Sequence, residues 1–142
     1  MTLTYVAGDP LQTEASILAF GYNALGRMEV TPFIAELLTK HPAAFAAFRK
    51  QCHAGKIKPG QYWLWRESAP RLMFMVVRAS GVGATRLRYV QSVMMTIARD
   101  YRLEGIRDLA IAPLGNAYEW GEIKLVLETW LSRIDLPVTV YE

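Results

Sequence analysis

"AIAPLGNAYEWGEI", residues 110 to 123, decides how the rest of the chain is read. It opens on an apolar run, turns through Pro113, Gly115 and Asn116, and enters a pattern in which Ile123, Leu127, Trp130 and Leu131 share one helical face. A strand that turns tightly into a helix is the repeating unit of α/β proteins. The turn holds no acid, base or nucleophile, so what it can offer is mostly backbone.

Working outward, the same alternation recurs. "IRDLAIAP" (106–113) reads as the buried strand that feeds the turn, "YEWGEIKLVLETWL" (118–131) as the helix that leaves it, and "PVTVY" (137–141) as a final strand. Upstream, Thr85 to Leu103 carries Leu87, Val90, Met94, Ile97 and Tyr101 at helical spacing before Gly105. "QYWLWRE" (61–67) and "RLMFMVVR" (71–78) flank "SAP" and read as two antiparallel strands joined by a short turn. "PFIAELLTK" (32–40) starts with a proline suited to a first helical turn and is broken by His41-Pro42. A second short helix then sets Phe45, Phe48 and Cys52 on one side and stops at Gly55. "TLTYVA" (2–7) alternates like a strand ended by Gly8-Asp9-Pro10, and "SILAFGYN" (16–23) is the continuous apolar run of a strand covered on both faces. The expectation is one α/β domain over residues 1–142: three layers, a central mixed sheet of about six strands, and helices on both faces.

Bulk composition agrees. The 142 residues are 52% hydrophobic and 20% charged, with a net charge of +3 from dispersed basic residues, which neither demands nor excludes nucleic acid. The single Cys52 has no partner for a disulfide or zinc site, there is no secretory leader pattern, and no stretch approaches a bilayer span. A soluble, cytoplasmic protein is expected.

Ligands of open α/β sheets gather at the C-terminal ends of the strands, which directs attention to the loops after Phe20, Val77 and Ala112. "GYNALGRM" (21–28) and the Gly115-Asn116-Ala117 turn are both short glycine-containing links, of the kind whose amides receive phosphate at a helix start. Neither is a P-loop. Gly81-Val82-Gly83 matches only part of a dinucleotide fingerprint, which counts against triphosphate hydrolysis and hydride transfer. His41 and His53 read as solvated side chains near helix ends, and Asp9, Glu14 and Glu29 are too sparse to argue a carboxylate pair. Tyr62-Trp63-Leu64-Trp65 reads as sheet packing ahead of base stacking.

The order of these segments resembles the macro domain, an α/β/α module that binds ADP-ribose. "GDP" after the first strand is similar to that family's Gly-Asp-apolar motif, "YNALGRM" to its first binding loop, "HPAAFAAFRKQCHAGKIKPG" to the segment leading to its next strand, and "APLGNAYEW" to its second phosphate loop. The branch most similar comprises the antitoxins that remove ADP-ribose from DNA and the terminal ADP-ribose protein glycohydrolase. The resemblance implies that Asp9 accepts from the adenine amino group. It also implies that Asn23, Gly26, Arg27 and Met28 line the distal ribose, and that Pro113, Leu114, Gly115, Asn116, Ala117 and Tyr118 form the diphosphate turn.

The chain departs from that branch at three places. The usual Gly-x-Gly is "EVTP" (29–32), the second loop is about three residues shorter and has lost the acid carried before the tryptophan unless Glu119 substitutes, and Arg78 aligns with the lysine nucleophile. A guanidinium keeps its proton and cannot attack a ribose carbon, though it can still pair with a phosphate or a carboxylate, so Arg78 is expected to bind and not to catalyse. The expected function is binding of ADP-ribose or a related adenine dinucleotide or NAD-derived ligand, free or on an ADP-ribosylated macromolecule, nucleic acid included. No membrane, metal, cofactor or catalytic residue is expected. Two alternatives stand beside it: an ADP-ribosyl glycohydrolase working by another route, such as water oriented by Asn23, and a closed-pocket interaction module presenting Trp63 and Trp65.

Overall fold

The computed structural model describes residues 2–81 and 83–142; Val82, the middle of the partial dinucleotide match, lies outside the described residues. Among the described residues six strands and four α-helices follow one another as β1 (Leu3–Val6), β2 (Ile17–Asn23), α1 (Pro32–Lys40), α2 (Pro42–His53), β3 (Tyr62–Trp65), β4 (Arg71–Arg78), α3 (Leu87–Asp100), β5 (Leu109–Ile111), α4 (Ala117–Leu131) and β6 (Val138–Tyr141). They form one mixed sheet in the order β1-β6-β5-β2-β4-β3. Every pairing is parallel except β3 with β4.

Strict alternation along the inner strands builds the two halves of the core. Ile17, Ala19, Met73, Met75, Leu109 and Ile111 face one side, where Val90, Met94 and Ile97 of α3 and Ile123 and Leu127 of α4 cover them. Leu18, Phe20, Tyr22, Leu72, Phe74 and Ala110 face the other, where Ile34 and Leu37 of α1 and Phe45 and Phe48 of α2 close over them. Apolar residues at successive positions thus reflect a sheet buried on both faces. Phe74 anchors the second half, its ring 4.3 Å from Phe48 and 4.7 Å from Phe20 between centroids. Burying each of these rings contributes about 1.5–3 kcal/mol. Trp63 packs into the same cluster, 5.6 Å from Phe74, so the aromatic strand is used for sheet packing.

Element lengths differ from the sequence pattern where side chains take over from backbone. The strand expected over 106–113 is regular only at Leu109–Ile111. On its N-terminal side, Asp108 turns its carboxylate to β2, accepting from the amide (2.8 Å) and the hydroxyl of Ser16. The helix expected from Thr85 begins at Leu87, because the Thr85 hydroxyl accepts from Arg78 (2.9 Å) instead of capping the helix. No helix among the described residues is long and apolar enough to cross a membrane.

Candidate functional site

Strand order sets the place of the site. The chain leaving β2 crosses to β3 and β4 on one side of the sheet, whereas the chain leaving β5 crosses through α4 to β6 on the other. The C-terminal ends of β2 and β5 are therefore a switch point where connections diverge and a crevice opens. A cleft of about 630 Å³ lies there, with Phe20 and Gly21 of β2, Arg78 of β4, and Pro113 and Gly115 after β5 among its lining residues.

Gly21 keeps this floor low. A Cβ on it would stand 3.0 Å from Cγ2 of Val77 and 3.1 Å from Cδ2 of Leu114, so any larger residue would have to push these two side chains aside. Gly115 has φ +70°, and a Cβ there would meet Cδ1 of Ile123 at 2.7 Å and Oε1 of Glu119 at 2.9 Å. The turn it makes delivers the chain into α4 through a capping box. Oδ1 of Asn116 accepts from the amides of Tyr118 (2.9 Å) and Glu119 (3.0 Å), and Oε1 of Glu119 accepts from the amide of Asn116 (2.8 Å). Among the described residues the amides of Leu114, Gly115 and Ala117 have no protein acceptor. Three uncommitted donors at the positive end of a 15-residue helix form an anion-receptive turn.

The opposite wall is a charged network. Arg78 donates to Glu29 from Nη2 (2.5 Å) and Nε (3.2 Å), and from Nη1 to the Thr85 hydroxyl. Both partners are largely withdrawn from water, with side-chain exposures of 16% and 13%. Asn23, fully buried behind the wall, braces it: its amide nitrogen donates to the Arg27 carbonyl (2.7 Å) and to Glu29 (2.9 Å), and its oxygen accepts from the amides of Leu25 (3.1 Å) and Arg27 (3.0 Å). All four hydrogen-bonding positions of that side chain are used. Tyr22, beneath the same loop, is pushed up to about 12, chiefly by burial.

Of the residues expected at a site, the structure brings Arg78, Pro113, Gly115 and Asn116 together on the cleft wall. Asn23 and Leu114 are buried behind it. Gly26 and Met28 line a separate cavity against α2, and Arg27 is exposed beside Gly81. The Ala117 and Tyr118 side chains point to solvent at the start of α4. Asp9 lies off the cleft lining, at the end of β1, where its carboxylate accepts from the Leu11 amide at 3.0 Å. Sequence reasoning passed over Glu29, Thr31, Phe33 and Thr85, all of which line the cleft. Glu29 and Thr31 belong to the bulky "EVTP" segment, which forms a wall and leaves the cavity open.

No protein-family model and no curated protein matches the chain. Solved structures do, and they define the class: this is the macrodomain fold. The macrodomain of Thermus aquaticus DarG superposes with a TM-score of 0.89 at 21% identity, covering 99% of this chain and 97% of that one. The macrodomain of Mycobacterium tuberculosis DarG gives 0.87 at 20% identity, covering 98% and 96%. The Thermosipho africanus DarTG structure, in complex with ADP-ribose, gives 0.89 at 21% identity; 98% of this chain matches 41% of that one.

Proposed function

We propose that residues 1–142 act as one unit that binds ADP-ribose, or a closely related adenine dinucleotide, in this cleft, without lysine-dependent hydrolysis. The observation that carries the reading is the Leu114–Ala117 turn, which has three uncommitted amides at the start of α4 and lines the cleft with Gly115 and Asn116. A diphosphate needs convergent donors and room for the groups on either side; the turn and the roughly 630 Å³ beside it supply both. The ADP-ribose in the DarTG structure of the same fold supports this choice of ligand.

In this reading the diphosphate rests on Gly115 and its neighbours and the distal ribose approaches Glu29 and Arg78. The adenine runs toward Asp9, at the end of β1. That end lies two strands from β5, about 10 Å, a span a dinucleotide covers. Arg78 acts as a fixed cation already neutralised by Glu29. It offers no free amine, and Asn23 has no spare group with which to orient water, so the wall binds without supplying a nucleophile.

Titration calorimetry with ADP-ribose is expected to give saturable binding in the micromolar range, about −8 kcal/mol. Wild type incubated with ADP-ribosylated DNA and borohydride is expected to form no covalent adduct. No heat at millimolar ADP-ribose sinks the binding reading, and a trapped adduct lost in Arg78→Ala sinks the assignment of Arg78.

A further inference from the structure

We propose that the opposite, N-terminal edge of the sheet carries a second site, which binds a small phosphate-bearing anion. A polar cavity of about 1040 Å³ lies there, where β2 and β4 begin and just before β5. Three arginines from separate segments line it: Arg66 just past β3, Arg71 opening β4, and Arg107 just before β5. The antiparallel β3–β4 ladder ends on the Trp65–Leu72 pair, so Arg66, the residue after β3, and Arg71, the first of β4, lie at the same end of the two strands. Like charges brought together in this way repel unless something neutralises them.

Arg66 is answered by Glu104, donating 2.9 Å to its carboxylate and 3.0 Å to its carbonyl. Arg71 and Arg107 are not answered: among the described residues neither side chain has an ion pair or hydrogen bond, although Arg71 is half-buried. Asp108, beside Arg107, is committed to Ser16. Glu14, the one acidic side chain lining the cavity, is exposed and unpaired among the described residues. Two uncompensated guanidiniums therefore share a concave polar wall, and a guanidinium fork fits phosphate oxygens in pairs. The acids Glu67, Glu104 and Asp108 interrupt any continuous basic track, so the positive potential is local, as suits a small anion more than a polymer.

The test is an amide chemical-shift titration of the labelled full chain with inorganic pyrophosphate at constant ionic strength. Saturable shifts are expected at Ser16, Ser68, Arg71 and Gly105. Arg71→Gln with Arg107→Gln is expected to weaken them at least tenfold while shifts caused by ADP-ribose in the cleft persist; Arg107→Gln alone, at an exposed position, gives a partial loss with no risk to folding. Pyrophosphate shifts confined to Gly81 and Gly115, or unchanged edge shifts in the double variant, overturn the proposal. The edge site is read independently of the cleft, so a failure to bind ADP-ribose leaves its result standing.

Discussion

Glu29 and Arg78 lie 49 residues apart in the chain and meet in the wall of the cleft. Removing one partner of such a withdrawn pair leaves the other charge in a poor environment, whereas replacing both costs less. Glu29→Ala is therefore expected to lower stability by about 1–3 kcal/mol in urea unfolding. Adding Arg78→Met should recover part of that loss, a non-additivity that a double-mutant cycle measures directly. Simple additivity would mean the pair is not coupled. Gly115 makes the second argument at this scale. Gly115→Val forces a β-branched residue to φ +70° with Ile123 Cδ1 at 2.7 Å from its Cβ, so the turn must open. ADP-ribose affinity should fall at least tenfold, about 1.4 kcal/mol or more; a folded variant with unchanged calorimetric affinity would remove the turn from the site.

In the proposed binding mode helix α4 carries the diphosphate, and its first turn is organised before any ligand arrives. Asn116→Ala deletes both bonds that the capping side chain accepts and is expected to cost about 1 kcal/mol of stability, with the thermal midpoint as the readout. Its companion Glu119 then loses its reciprocal geometry, so ADP-ribose binding should weaken alongside. At this scale much was legible from the residues alone. β2 and β4 are unbroken apolar runs because both faces are covered, and the Gly115-Asn116 turn announces the end of a strand and the start of a helix. The extent of β5 and the first residue of α3 were not legible. Asp108 and Thr85 spend their side chains on partners 92 and 7 residues away, and local pattern cannot register such competition.

Across the whole molecule, what the sequence hides is convergence. Arg78 and Glu29 look like a strand-end cation and an isolated acid, yet the crossing from β2 to β4 puts them in one network with Asn23 and Thr85. Arg66, Arg71 and Arg107 look dispersed until the fold brings their segments to the lining of one cavity. Asn23 shows the reverse: a side chain that reads as a ligand contact is consumed in holding its own loop. Residue type signals what a group can do, and topology decides what it is left free to do.

The sheet order also bears on how the chain is made. Among the described residues the only ladder partner of β1 is β6, with Leu3 beside Val138 and Val6 beside Tyr141. Strand β1 therefore waits, unpaired, until residues 138–141 have been synthesised. Until β6 emerges from the ribosome, β5 presents an open parallel edge, the kind of surface that recruits other chains. A nascent chain arrested before Val138 is therefore the form most exposed to aggregation.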